Sequence, residues 1–533
     1  MMMKFNTGNA FLPVVFCCVL LLPACAKIGP DFLRPASSVS ANWLEAGSDS
    51  VKFDAADYRE WWKGFNDPVL DRIIDRAYNE NISLKAAGVR VLEARAQLGI
   101  AVGNLYPQSQ QASGSVTFNR TSERSSASAA SPPGIRQQHS FWQDQAVLSA
   151  AWEIDFWGKF RRAVESADAG LLAAIADYDS TLVSLTADTA AAYIQIRTLH
   201  KRLEIARQNA EFQGESYRIA EYRFQGGVTS ERDVEQARTV LFNTLATIPN
   251  LEAQLRQAKN ALSVLLGMPP DNLADFIDAD NDIPTAPAQI AAGIPADLLR
   301  RRPDVRSAEL RAAAQSARIG VAKADLYPAF SLTGSFGFLS SSTGSSSLAD
   351  IASMGARTAS FGPSFQWNIL NYGRITNNVR VQDARFQELL LAYQNTVLQA
   401  QKEVEDSLAG FLRARENAEY LAQSAGAAKR SLELAFIQYR QGSTDFTTVL
   451  TAQQSLLTAQ DSFATALGNI SGNLVGVYRA LGGGWQIREG RDFLPAEIKA
   501  VMAERTNWGR LLSPAAYTPS ESQPRQDMRA PDW

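Results

Sequence analysis

The chain has 533 residues, 46% hydrophobic and 20% charged, with 52 basic against 55 acidic side chains and a net charge of −3. That is enough for a folded protein of several domains' size, and it leaves no electrostatic footprint for gripping nucleic acid. The only histidines are His139 and His200, and all three cysteines fall within the first 25 residues, so most metalloenzyme and thiol-enzyme chemistry is excluded.

Lys4 is the only charged residue before an apolar run from Phe11 to Leu22, the pattern of a secretory signal. The run is too short to span a bilayer as a helix. It ends Leu22, Pro23, Ala24, Cys25, which resembles the bacterial lipobox and makes residues 1–24 a lipoprotein signal and Cys25 the lipid attachment point. Ala26 follows where Asp is absent, which by that resemblance implies passage to the outer membrane. An ordinary signal with an incidental cysteine is the other reading. No later stretch of about 20 apolar residues exists, so any membrane crossing must use strands.

The rest of the chain is duplicated. Gly99 to Pro107, ending Leu105, Tyr106, Pro107, recurs 221 residues later at Gly320 to Pro328. Further on the offset is 215: Trp152 with Trp367, Gly158 with Gly373, Gly227 with Gly442, Gly267 with Gly482. A period this long marks one supersecondary unit copied once. Residues 83–268 and 304–484 are the expected repeats. An N-terminal segment over 25–82 and a C-terminal one over 485–533 join them in an equatorial region, and 269–303 is the linker.

Each repeat opens with a short helix, Ser83 to Asn104 and Asp304 to Asp325, the second with Pro303 at its first position. Two strands follow. Ala112, Gly114, Val116 and Phe118 alternate with polar residues, as do Ala146, Leu148, Ala150, Trp152, Ile154 and Phe156. The second copy repeats this with Phe330, Leu332, Phe336 and Phe338, then Phe361, Phe365, Trp367 and Ile369. Strands of about ten residues with an aromatic outer face suit a lipid-facing barrel. The Ser-, Ala- and Gly-rich connections Arg120 to Ser140 and Ser340 to Ala359 read as exposed outer loops.

After Gly158 the chain runs to Gln225 without proline, with a heptad seam from Leu171 through Leu182 and Ile196 to Leu203. Phe386, Tyr393, Val404 and Phe411 repeat it. A helix of about 65 residues is about 100 Å long. It must bridge a distance or wall a tube. Each rod ends at a turn, Gly226, Gly227, Val228, Thr229 in the first copy and Gly442, Ser443, Thr444 in the second. A return helix of about half the length follows each turn. We expect the short helix before the strands to stack end to end on it, and Pro249 to kink the first return limb.

Four strands cannot close a membrane barrel, and an open edge in lipid leaves unpaired backbone groups at several kcal/mol each. Three copies give 12 strands and 12 helical columns in quasi-sixfold order, whereas a dimer's eight strands leave a bore filled by side chains. The expected fold is an α+β membrane protein. It is a duplicated repeat forming a trimeric 12-stranded β-barrel, four strands per chain, continued by a long α-helical coiled-coil barrel with an equatorial region.

The motifs Cys25 to Pro35 (CAKIGPDFLRP), Trp61 to Leu70 (WWKGFNDPVL), Trp152 to Lys159 (WEIDFWGK), Ile248 to Gly267, Leu298 to Glu309 (LLRRRPDVRSAE), Asp325 to Phe338, Gly362 to Arg374 and Ala480 to Trp485 (ALGGGW) stand in order along the chain. With them the sequence resembles the TolC-type outer-membrane factors, in the lipoprotein branch called OprM- or NodT-like. That resemblance implies a homotrimeric exit duct in the outer membrane, lipid-anchored, with a periplasmic extension. The duct would dock onto a periplasmic adaptor (membrane fusion) protein and an inner-membrane exporter of RND type, and pass drugs or other small molecules outward. The turns at Gly226 to Thr229 and Gly442 to Thr444 match the tips that adaptor hairpins pack against, although ordinary helix-hairpin chemistry accounts for them too. The carboxylate ring that narrows the closed pore in the family falls here on Thr448 and Thr451. Asp233, the first-copy equivalent of Thr448, is the candidate to supply the missing negative constriction, the bland alternative being a solvated helix-face carboxylate.

Nothing else carries chemistry. Trp157, Gly158, Lys159 lacks the glycine and hydroxyl spacing of a phosphate loop, and the histidines have no triad partners. Arg300, Arg301 and Arg302 read as a solvated basic stretch or a subunit contact. No catalytic residue, cofactor, metal or nucleic-acid partner is expected. Protein-secretion ducts share this architecture, and a pore-less outer-membrane coiled-coil scaffold would share the rods.

Overall fold

The computed structural model describes residues 27–45, 51–52, 58–122, 139–277, 282–287, 289–291, 293, 301–343 and 346–513. The signal segment, Cys25, Arg300, most of the first outer loop and the tail beyond 513 lie outside the described residues.

Helix α1 spans Pro68–Glu80, started by Pro at its first position and by the Asp67 side chain, which accepts from the Val69 and Leu70 amides. Helix α2, Ile82–Gly103, is capped by Asn81, whose side chain accepts from the Leu84 amide at 2.9 Å. Strands β1 (Ser109–Arg120) and β2 (Ser140–Ile154) lead to α3, Lys159–Gln225, and the return helix α4, Glu231–Leu265. The second copy is α5 (Pro303–Ala324), β3 (Ala329–Ser341), β4 (Arg357–Gln366), α6 (Arg374–Arg440) and α7 (Phe446–Ala480). Both rods have 67 residues and both return helices 35. Helix α4 runs through Pro249 as one element.

The four long strands form one antiparallel sheet in the order β1-β2-β3-β4. Its two hairpins share a register. Ala112 pairs with Leu148 and Gly114 with Ala146, while Leu332 pairs with Pro363 and Gly334 with Phe361. The second strands are thus offset by 215 and the first by 220. That is one fewer than at the Leu-Tyr-Pro motif, because the first copy holds one more residue between its proline and its strand.

The helices stand in the same order beneath the sheet. The α2/α4 column packs on α3, α3 on the α5/α7 column, and that column on α6. Each composite column is made end to end, as expected. Asn81 Nδ2 donates to the Leu265 carbonyl at 2.9 Å, and Arg302 Nη1 to the Ala480 carbonyl at 2.8 Å. Gly267, at φ +69°, makes the first junction possible, since a Cβ there would stand 2.3 Å from the Glu80 carbonyl oxygen.

The core lies at the waist, where Trp61, Trp62, Phe65, Leu70 and Ile73 meet Leu182, Tyr193, Phe411 and Val477. Helix α3 is packed on both flanks and buries its seam from Leu171 to Leu203, Ala192 being half-buried. Helix α6 buries far less. It holds Tyr393, Val397, Val404 and Phe411 inside and leaves Val381, Leu391, Leu398 and Tyr420 exposed on its outer flank.

The two ends of the described chain lash these columns together. Segment 27–45 starts where the Ile28 amide donates to the Trp157 carbonyl at 3.0 Å. There the buried Arg162 donates to the carbonyls of Ile28 and Gly29, each at 3.0 Å, and pairs with Asp31. The segment then crosses α5, where Arg34 pairs with Glu309, and reaches α6. On α6, Phe32 meets Phe386 edge-on and the Ser40 and Leu44 amides donate to Gln401 and Glu405. Val51 and Lys52 form a parallel bridge with Ile290 and Ala291. At the other end Arg488 pairs with Asp179 of α3, and helix α8, Ala496–Arg505, packs on α2 through Leu92, Leu494 and Met502. Neither α1 nor α8 was expected from periodicity.

Candidate channel wall and helix tips

The sheet has two chemically distinct faces. Residues opposite one another in an antiparallel ladder share a face. One face therefore carries Val116, Phe118, Trp142, Leu148, Trp152, Leu332, Phe336, Phe361 and Phe365, and the other Ser113, Ser115, Thr117, Gln143, Gln145, Ser149, Ser331, Thr333, Ser335, Ser360 and Ser364. Aromatics on the first are exposed, with Phe361 at 79% and Phe365 at 70%. The second is lined mainly by hydroxyls and amides, with Phe141, Val147 and Leu339 among them, and Glu153 at the helix end, within 3.8 Å of Lys159, is the charge on it, while the first face carries the buried Asp144 opposite Val116. Among the described residues no helix is long and apolar enough to cross a membrane.

At the far end of the rods the two turns lie side by side. Gly227 and Gly442 both adopt φ +72°, the left-handed geometry that ends a helix. The Gly227 and Val228 amides donate back to Phe224 and Arg223, and the Gly442 and Ser443 amides to Tyr439 and Gln438. Arg223 stands over the Tyr439 ring at 4.8 Å, and Val234, Ala237, Phe446, Val449 and Leu450 form a small core between the hairpins. Val228 is 71% exposed at the extremity.

Asp233 and Thr448 occupy the same place in the two tips and play exchanged roles. Asp233 completes a capping box. Its Oδ2 accepts from the Thr229 hydroxyl at 2.6 Å, the Ser230 hydroxyl at 2.9 Å and the Ser230 amide at 3.3 Å. Those bonds, the Thr229 one foremost, hold its carboxyl below the usual range, so it stays ionised at neutral pH. In the second tip the acid sits at the cap itself. Asp445 accepts from the Thr448 amide at 3.1 Å and hydroxyl at 2.7 Å, and these likewise lower its pKa. Thr444 donates to Thr448 at 2.9 Å, and Thr451 to the Thr447 carbonyl. The structure thus brings Thr444, Thr448, Asp233 and Asp445 to one end of the molecule. Asp445 was not singled out in the sequence, although an Asp directly before an apolar helical run signals a cap.

Further up, a groove of about 1000 Å³ between α3 and α4 is lined by His200, Lys201, Arg207, Glu252, Arg256, Lys259 and Asp282 among others. Burial, with Lys259, Arg197 and Arg207 nearby, pushes the His200 imidazole down to about 4. Arg302, far from being solvated, is buried and holds Asp304 and Glu403, each at 2.7 Å.

The sequence matches the family described as outer membrane efflux protein over residues 73–268 and 294–483, the two repeats with little to spare. The chain belongs to that family. The efflux protein is 31% identical to nodulation protein T of Rhizobium leguminosarum bv. viciae, over 96% of this chain and all of that one. It is 32% identical to the pyoverdine export outer membrane protein OpmQ of Pseudomonas putida, over 88% of this chain and 96% of that one. Its fold superposes on the solved outer-membrane channel OprN with a TM-score of 0.78 at 33% identity, covering 86% of this chain and 100% of that one. This efflux protein therefore acts in the outer membrane, in export.

Proposed function

We propose that the protein is the exit channel of a tripartite efflux system. Three copies close one twelve-stranded barrel through the outer membrane and continue it as a helical tunnel into the periplasm. The observation that carries this reading is the sheet: four strands with apolar and hydroxyl faces, both edges unpaired among the described residues, standing over four helical columns in the same order. Lipid tolerates no open strand edge, and copies of one chain are the economical closure. The apolar face then meets lipid and the hydroxyl face lines water.

Cys25, two residues before the segment pinned to Trp157 and Arg162, carries the lipid anchor. Gly226, Gly227, Val228 and Thr229 with Gly442, Ser443 and Thr444 receive the hairpins of a periplasmic adaptor, which couples the tunnel to an inner-membrane exporter of RND type. Asp233, held ionised at the level of Thr448 and Thr451, supplies the negative constriction there. The cargo class is small molecules, in keeping with the relative named for pyoverdine export. Purified protein run unheated on a denaturing gel should migrate as a heat-labile trimer and conduct ions in planar bilayers. A monomer that is silent in bilayers would overturn the reading.

A further inference from the structure

The two hairpins are copies in register as well as in shape. This makes the seam between them, β2 against β3, a template for the seam the single chain leaves unmade. In the internal seam Ala146 stands opposite Phe338, Leu148 opposite Phe336 and Ala150 opposite Gly334. Strand β4 is the copy of β2 at an offset of 215, and β1 is the copy of β3 at an offset of 220. We infer that β4 of one protomer pairs antiparallel with β1 of the next in the register this template dictates. Phe361 stands opposite the partner subunit's Phe118, Pro363 opposite the partner subunit's Val116 and Phe365 opposite the partner subunit's Gly114. The inference rests on the trimeric reading above and adds the register that reading lacks.

Three observations carry it. Phe361, Phe365, Phe118 and Val116 lie on the apolar face of the two open edges and are all more than half exposed in the single chain. The template sets them against one another, with Phe365 covering a glycine as an aromatic does when it shields bare backbone. On the hydroxyl face the same register puts Ser364 opposite the partner subunit's Ser115 and Gly362 opposite the partner subunit's Thr117. A slip of one residue would turn one strand's aromatics onto the other strand's hydroxyl side. Helically, the same edges bring the exposed flank of α6, with Leu391 and Leu398, toward the α2/α4 column, whose Val89, Phe242 and Leu245 are also exposed. Pro363 brings no N–H, so one rung of the closed sheet is lacking at that residue.

Cysteine pairs read the register. Directly opposite residues in an antiparallel ladder have Cα atoms about 4.5–5.5 Å apart, within disulfide reach, while those two residues out of register are about 7–8 Å apart. Phe118 and Phe361 sit on opposite edges of a four-stranded sheet, three strand spacings or at least roughly 14 Å apart within one chain, so any bond between them joins two chains. Cys25 is the only natural cysteine beyond the first 24 residues, and the unsubstituted chain is the control for it. Full-length F118C/F361C, oxidised in the membrane, should give a reductant-sensitive ladder ending at the trimer, and V116C/F361C should not. S115C/S364C, which exchanges serines for near-isosteric cysteines on the hydroxyl face, should cross-link in the same way even if the aromatic pair impairs assembly. Preferential cross-linking of V116C/F361C would overturn the register. So would absence of cross-links from S115C/S364C in a chain that still runs as a heat-labile trimer. An unsubstituted chain that runs as a monomer unheated would overturn the trimer itself.

Discussion

Arg302 and Ala480 join the two halves of a column: the guanidinium at the start of α5 donates at 2.8 Å to a carbonyl that the end of α7 leaves without an intrahelical partner. The same side chain holds Asp304 and Glu403, so one residue ties α5, α6 and α7. Replacing Arg302 by Ala removes charge-assisted bonds worth about 2 kcal/mol net and should lower the temperature at which the assembly dissociates on gels. Arg301→Ala, which among the described residues loses a contact with the Tyr58 ring, should have a much smaller effect.

Gly29 sits at φ +103° with its backbone against Gly320, and a Cβ added to it would stand 2.4 Å from the Gly320 Cα. Gly29→Ala is therefore penalised both by backbone conformation and by direct overlap, at more than about 2 kcal/mol. The expected outcome is release of segment 27–45 from α3 and α5, seen as faster proteolysis before Trp43 with the rods still protected.

His200 gives the helical wall a pH dependence. Its pKa in the folded chain is about 4, against roughly 6.5 in an unfolded one, so between those values the unfolded chain takes up a proton that the folded chain resists. Stability is full above about pH 6.5 and declines as pH falls toward 4. His200→Gln should flatten that part of a melting-temperature profile and change little at neutral pH.

The tips offer a separation of roles. Asp233→Ala removes the capping acceptor for Thr229 and Ser230 and should cost about 1 kcal/mol at the first tip. If Asp233 also supplies the negative constriction, the same change lowers cation selectivity and divalent-cation block in planar bilayers. Asp445→Asn, which keeps an oxygen for the Thr448 amide, removes the neighbouring charge while preserving the cap. Reversal potentials unchanged in both variants would mean that the constriction lies elsewhere.

What was legible in the sequence was what repeats. The strand faces, the rods, the glycine turns and the end-to-end columns all follow from period two, period seven and the duplication, because each is written locally and twice. What was hidden carries no long period. Helix α1 and helix α8 are short, and the path of 27–45 depends on Arg162, Gly320 and Gln401, residues far away in the chain. Arg302 looked like one of three solvated arginines because its burial comes from contacts with α6 and α7. The shift from 221 to 220 between Pro107 and β1 was masked by the Leu-Tyr-Pro match just before it. The exchange of Asp233 and Asp445 between the tips becomes visible only when both turns are seen in three dimensions.

The sheet's order has a consequence for biogenesis. Its unpaired edges belong to the first and the last of the four strands synthesised, so a nascent chain completes every internal pairing by itself and still remains an arc. Such an arc leaves the backbone of both edges without partners that lipid could supply, so on the trimeric reading the molecule travels as an unfinished stave and becomes a membrane protein only in company.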